Sequence, residues 1–552
     1  MTEPVDITQA KHHRYSDREN TNMHLTTGHL LAVTLCCLVA ATVSVHAQKK
    51  SPSADRVIAV DYNTVRGPLN PMFNACVGAG RANEGLRADW QQQLVRAHTE
   101  CGFRYIRFHG LLADDMGIYF EDAKGNPIYN FQYMDVLFDY ILSIGMKPFV
   151  ELGFMPNALA SGTKTIFWWR GNVTPPKDYS KWAGLVRALT QHVTDRYGAE
   201  EVKSWYFEVW NEPNLDIFWA GTQQEYFTLY RHSAEAIKSV NRAYRVGGPA
   251  TAGAAWVPEM ITFAHTTRLP LDFVSTHSYG VKAGYVDEYG QNGTVLDKDP
   301  WSVSRDILRS RTEITASPMP DLELHYTEWS SSYTPADPIH DSYHEAAYIL
   351  DRIRKAGTAV QSMSYWTFTD IFEEPGPRTT PFHGGFGLLN YQGIAKPAYH
   401  AFAFMNKLGG TELATTDSTS WVTRSADGGV QLLLWDFTNT HPGDSVNDQV
   451  YYLRDLPAKP KGKVRIELTG VPAGSYTLEL SQIGYRVNDA YSTYLSMGRP
   501  AQLTRAQVET ITALNDGAPL KRELVTIGAN GVLSKQLELR ENDVFLLRLI
   551  RS

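Results

Sequence analysis

The sequence predicts an α/β protein, a (β/α)8 TIM barrel followed by a β-sandwich accessory domain at the C-terminal end. Three observations carry this. Between residues 56 and 405, β-rich runs alternate with helix-length amphipathic segments, eight of each. The glycine-rich phosphate turn of an open doubly wound sheet, the alternative, is absent: Gly78-Ala79-Gly80 lacks a third glycine at the right place. After Gly410 the alternation stops, and short strand-like runs follow with Gly, Pro, Asn and Asp at their ends.

In chain order the candidate barrel strands are 72–77, 104–108, 147–152, 204–210, 244–248, 272–276, 322–327 and 362–367. Amphipathic stretches at 85–99, 131–145, 179–197, 223–240 and 342–356 lie between them. In 179–197 the residues Trp182, Leu185, Val186, Leu189 and Val193 recur at helical spacing, which marks one buried face. The sandwich runs are 430–437, 463–468, 475–480 and 544–550, interrupted by a more helical insert near 489–512. The run 56–60 precedes the barrel and is a candidate extra strand of the sandwich. The expected organisation is a leader over 1–47, a barrel over 56–405 and a sandwich over 411–552.

A net charge of −7 and the lack of a basic run exclude the electrostatic footprint of a nucleic-acid binder. The apolar run 29–45 ends in Val45-His46-Ala47, which reads as a signal-peptide core with cleavage after Ala47. The expected location is therefore secreted or periplasmic, without stable membrane insertion once the signal is removed. An uncleaved anchor stays open, because no Lys or Arg stands between Met23, a second candidate start, and the run. Cys36 and Cys37 fall in this segment; Cys76 and Cys101 remain, either paired or as buried thiols. Nothing in the sequence speaks to oligomeric state.

In a TIM barrel chemistry sits at the C-terminal ends of the strands. The residues there are His109, Glu151, Asn211-Glu212-Pro213, His277-Ser278-Tyr279, Glu328-Trp329, Trp366 and Asp370. No nucleophile elbow or metal-ligand spacing is present, and His344-Glu345-Ala346-Ala347 ends in Tyr348 rather than a second His, so no metal and no cofactor are expected. Paired carboxylates flanked by aromatics suit acetal hydrolysis: one protonates the leaving oxygen, and the other attacks or stabilises the oxocarbenium-like centre. Each residue also has a bland reading. Asn-Glu-Pro can be a turn, His109 and His277 core histidines, Trp366 barrel packing, and Glu373 and Glu374 a solvated pair.

The segment Tyr206-Phe207-Glu208-Val209-Trp210-Asn211-Glu212-Pro213-Asn214-Leu215 resembles the acid/base motif of retaining barrel glycosidases. Arg107-Phe108-His109-Gly110, Glu151-Leu152-Gly153-Phe154-Met155-Pro156, Thr276-His277-Ser278-Tyr279-Gly280, Tyr326-Thr327-Glu328-Trp329-Ser330, Tyr365-Trp366-Thr367-Phe368 and Phe382-His383-Gly384-Gly385-Phe386-Gly387-Leu388 narrow the resemblance. Together they are similar to glycoside hydrolase family 39, the β-xylosidase and α-L-iduronidase family, over about residues 56–405. The resemblance implies Glu212 as acid/base, Glu328 as nucleophile and Asn211 on the 2-hydroxyl of the sugar. His109, His277 and Tyr279 would line the subsite, Phe154 and Trp366 would form apolar walls, and Glu373 and Glu374 would contact the other hydroxyls. No role attaches to Glu151, and Phe167-Trp168-Trp169 is either an outer subsite or a plug.

Substrate choice within the family rests on charge. A uronic-acid enzyme needs a cation against the substrate carboxylate, whereas the segment after strand eight carries Asp370, Glu373 and Glu374 against Arg378 alone. The expectation is a retaining hydrolase that releases β-linked xylose from non-reducing ends of xylo-oligosaccharides or xylosides. An α-L-iduronidase-like or other exo- or endo-glycosidase, and a non-catalytic carbohydrate-binding protein, are the alternatives.

Overall fold

A computed structural model describes residues 56–286, 292–439 and 448–552. The leader and signal segment expected over 1–47 lies outside the described residues. Eight parallel strands close into a barrel in sequence order: β1 Cys76–Arg81, β2 Tyr105–His109, β3 Lys147–Leu152, β4 Tyr206–Val209, β5 Arg245–Thr251, β6 Phe273–Tyr279, β7 Glu323–Ser330 and β8 Ser362–Tyr365. The helices around it are α1 Ala88–Cys101, α2 Gln132–Ser143, α3 Tyr179–Tyr197, α4 Gln223–Val240, α5 Val257–Thr267, α6 Ser302–Thr315, α7 His344–Ala356 and α8 Pro397–Met405. In α3 the five periodic residues named above are all buried, and Asp178 caps the helix by accepting from the backbone N–H of Ser180 and Lys181. Helix α4 begins with a capping box between Thr222 and Glu225.

The first strand departs from expectation. Met72–Asn74 form a short 3-10 turn, and pairing begins at Cys76 and runs through the glycines. Those glycines are there for room. A Cβ at Gly78 would stand 2.5 Å from the Trp366 ring, and one at Gly80 would stand 2.5 Å from the Glu84 carboxylate. Regular pairing in β8 ends at Tyr365, two residues earlier than the sequence run. Cys76 and Cys101 are free buried thiols, and burial pushes Cys76 up to about 12.

Two further sheets face each other across one apolar core. The smaller pairs Arg56–Asp61 in parallel with Pro460–Thr469, which in turn pairs with Leu533–Arg540. The larger runs Val65–Pro68, Thr411–Leu413, Ser420–Arg424, Val430–Trp435, Val544–Arg551, Gly474–Ile483 and Lys521–Ile527 in space. Ile58 and Val60 bury themselves in this core beside Val464, Ile466, Leu432 and Phe545. Both chain ends of the described region therefore build the sandwich. Its outer face packs on the barrel, where Trp421 meets Phe73 and Arg354 of α7 pairs with Glu412 at 2.6 Å. No helix among the described residues is long and apolar enough to cross a membrane.

Candidate active site

Arg107, on β2, points into the barrel with no exposure and is a cation that must be paired. Its guanidinium forms an ion pair with Glu151 at 2.9 Å and donates to Glu208 at 2.8 Å, to Asn211 Oδ1 at 2.9 Å, and to Glu328. Burial alone would lower its affinity for protons, but the carboxylates of Glu208, Glu151 and Glu328 outweigh that and hold it charged. One inward arginine thus organises the ends of β3, β4 and β7.

Glu328, at the end of β7, is held on both oxygens. Arg107 donates to Oε1, and the Tyr279 hydroxyl donates to Oε2 at 2.7 Å. Each oxygen of this carboxylate thus has a donor of its own. Glu212 has a different environment. Trp210–Leu215 form a fixed turn after β4: Trp210 Nε1 donates to the Phe218 carbonyl, Glu212 N–H to Ala250 O at 2.8 Å, and Leu215 N–H to Glu212 O at 3.0 Å. Burial, reinforced by the charges of Glu328 and Glu151, pushes the Glu212 carboxyl well above the usual carboxylate range; Arg107 opposes this in part.

A chain of hydrogen bonds fixes where the proton of Glu212 goes. The Thr327 hydroxyl has one proton and lies 2.8 Å from Glu208 Oε1 and 3.1 Å from His277 Nε2. Glu208 also accepts from Arg107, so Thr327 donates to Glu208 and accepts from an Nε2–H of His277. Burial, then Arg107 and His109, keep the His277 imidazole neutral, so its Nδ1 carries a lone pair. Glu212 Oε1 stands 2.9 Å from that Nδ1 and supplies the proton. The protonated acid is therefore the form that completes the network.

One carboxylate oxygen of Glu212 and one of Glu328 lie within 4.8 Å of each other, with His277 Nδ1 in the same cluster. Retaining glycosidases separate their carboxyl groups by about 5–5.5 Å, and inverting ones by about 6.5–9.5 Å to admit a water. The same three groups could in principle cage a cation, a grouping that no sequence spacing suggested; the hydrogen bonds just described account for their positions.

His109, Asn211, Glu212, Tyr279, Glu328, Trp366 and Glu374 line a common cavity of about 670 Å³. Asn211 Oδ1 is occupied by Arg107, which fixes the amide so that its buried Nδ2 has no partner among the described residues. His109 Nδ1 donates to Glu151 at 2.6 Å, which turns Nε2 toward Glu328 and Glu374 at 3.5 and 3.6 Å. Burial and the nearby carboxylates, Glu328 first, push Glu374 well above the ordinary range.

His277 and Phe154 do not line the cavity. His277 stands behind Glu212, and Phe154 packs 5.8 Å behind His109. Glu373 is held away from it: Arg81 and Arg87 occupy its two oxygens at 2.6 and 3.2 Å. Asp370 is likewise consumed by the buried Lys396 at 2.6 Å. Of the three acids in the charge argument, only Glu374 faces the cavity. Sequence reading gave no role to Arg107, Glu151, Glu208 or Thr327. The available signal was alternation: Arg107 and His109 share the inward face of β2, and a buried arginine demands carboxylates on neighbouring strands.

The profile of Glycosyl hydrolases family 39 matches residues 56–533. A beta-xylosidase of Caldicellulosiruptor saccharolyticus is 40% identical over 477 residues, 85% of this chain and 93% of that protein. The crystal structure of the GH39 enzyme from Xanthomonas axonopodis pv. citri superposes with a TM-score of 0.89 at 43% identity, covering 92% of this chain and 100% of that one. That of a monomeric beta-xylosidase from Caulobacter crescentus CB15 gives 0.86 at 42% identity, covering 90% and 99%. The protein is a glycosidase, a member of glycosyl hydrolase family 39.

Proposed function

We propose that this enzyme releases β-linked xylose from the non-reducing ends of xylo-oligosaccharides or xylosides by a retaining double displacement. The carrying observation is the pair of carboxylates within 4.8 Å in opposite environments, one donor-saturated and one kept protonated. In the first step a Glu328 oxygen attacks the anomeric carbon while Glu212 gives its proton to the departing oxygen. The glycosidic oxygen competes with His277 Nδ1 for that proton. The positive charge developing on the sugar is balanced by Glu328, and the Asn211 amide donates to the 2-hydroxyl. In the second step Glu212, now ionised, takes a proton from water; the water attacks the anomeric carbon, and Glu328 leaves. No cofactor enters either step. Trp366, whose ring lies 4.7 Å from the His109 imidazole, floors the sugar site, and Glu374 supplies acceptors for the remaining hydroxyls.

A neutral sugar is favoured over a uronate because no Lys or Arg lines the cavity among the described residues. The one cation beneath it, Arg107, is already shared by three carboxylates. The family relatives named as beta-xylosidases support xylose among neutral sugars. Turnover of an aryl glycoside panel carrying xylose, glucose, arabinose and uronic acid tests this. Xylose is expected to give the highest kcat/KM, and a preference for the uronide would overturn it. Export, read from the apolar run 29–45 and the cleavage pattern Val45-His46-Ala47, is tested on the mature protein: N-terminal sequencing is expected to begin at Gln48.

A further inference from the structure

The polar groups of the cavity are not spread evenly. His109, Asn211, Glu212, Tyr279, Glu328 and Glu374 all gather around the carboxylate pair. The rest of the lining comes from the loops after β3 to β8, and there the walls change character. Leu215 and Phe218 stand one and two turns beyond Glu212, with Leu215 N–H bonded to Glu212 O at 3.0 Å and Phe218 N–H to Leu215 O at 2.9 Å. The Asn214 side chain bonds both O and N–H of Ala252, at 3.0 and 2.9 Å, and so welds this wall to the loop after β5. Val281, Tyr333 and Pro335 line the same cavity, as does Ile217, which is 57% exposed. Beyond Trp366 and the six polar residues named above, the Tyr333 hydroxyl is the only polar side-chain group that lines the cavity among the described residues.

This wall continues from the turn that carries Glu212, the group assigned to the leaving oxygen, so it receives whatever that oxygen carries. A second pyranose would bring several hydroxyls against side chains that cannot bond them, and each unmatched hydroxyl weakens binding. An apolar alcohol gains from the same surface. We propose that the leaving-group half of the cavity is an apolar aglycone site, and that the preferred substrates are glycosides of alkyl or aryl alcohols rather than oligosaccharides. The proposal rests on the glycosidase reading above and names the other half of its substrate.

The test is kcat/KM for methyl, butyl and hexyl β-D-xylopyranosides beside xylobiose. The three alkoxides are similarly basic, so the chemistry is held constant while the apolar area grows. A contribution of up to about fourfold per buried methylene predicts a rise of at least about tenfold from methyl to hexyl, with hexyl above xylobiose. In Ile217→Asp the hexyl-to-methyl ratio is expected to fall toward one; the position is exposed, so folding is not at stake. A flat alkyl series, xylobiose as the best substrate, or an unchanged ratio in Ile217→Asp would overturn the proposal. If no xyloside is cleaved, the assignment of xylose is what fails, and the alkyl series is then repeated on the sugar that the aryl panel selects.

Discussion

Thr327 touches no substrate position, yet it sets the tautomer of His277 and through it the proton on Glu212. Thr327→Val frees His277 to carry its proton on Nδ1, where it would donate to an ionised Glu212 instead of accepting from a neutral one. Glu212 faces Glu328, Glu151 and Arg107 as before, so only the hydrogen-bond contribution changes. The first step needs the protonated acid, and activity is lost as pH rises through its raised pKa. The alkaline limb of kcat/KM is therefore expected to move to lower pH by about one pH unit, and Thr327→Ser to restore it. An unmoved limb would reduce Thr327 to a packing role. For Glu212→Ala, kcat on a nitrophenyl xyloside is expected to fall by about 10²–10⁴-fold, with azide restoring turnover because it needs no base. Glu328→Ala is expected to abolish product formation altogether.

At the scale of elements, the helix α7 carries Glu345, which the Tyr365 hydroxyl of β8 contacts at 3.0 Å. Burial raises its carboxyl from 4.5 to about 7 against the opposing hydrogen bonds of Ser331 and Tyr365. Because the folded state holds this proton more tightly than the unfolded chain, stability declines as pH rises from 4.5 to about 7 and levels off above. Glu345→Gln removes that dependence. Its Tm relative to the parent is expected to climb across the window, by the equivalent of up to about 3 kcal/mol, and a constant difference would refute the account. The elements themselves were largely legible in the sequence, because helices such as α3 carry a continuous apolar face and most strands are short runs that mix aromatic with aliphatic residues. The first strand was not: Gly78 and Gly80 erase the apolar signal, and their reason, the closeness of Trp366 and Glu84, comes from residues far along the chain. In the site, Glu212 and Glu328 were legible because they terminate strands. Arg107, Glu208 and Thr327 were not, since their meaning lies in partners on other strands. Glu373 looked equivalent to Glu374 until Arg81 and Arg87 were seen to hold it.

Over the whole molecule, the sandwich is closed by strands from both sides of the barrel, with Arg56 bound to Asp417 at 2.6 Å. Deletion of 411–552 would leave Ile58 and Val60 without a core and uncover the barrel face beneath Trp421. The truncated protein is expected to be insoluble or inactive, whereas a soluble barrel with parental kcat/KM would show the sandwich to be dispensable. The central claim is that two carboxylates at the short spacing of retaining enzymes work by a covalent glycosyl-enzyme. Proton NMR of the first sugar released from an aryl β-xyloside tests it most directly. The account predicts β-xylose as the initial product, mutarotating afterwards to the α form; α-xylose as the first signal would contradict it.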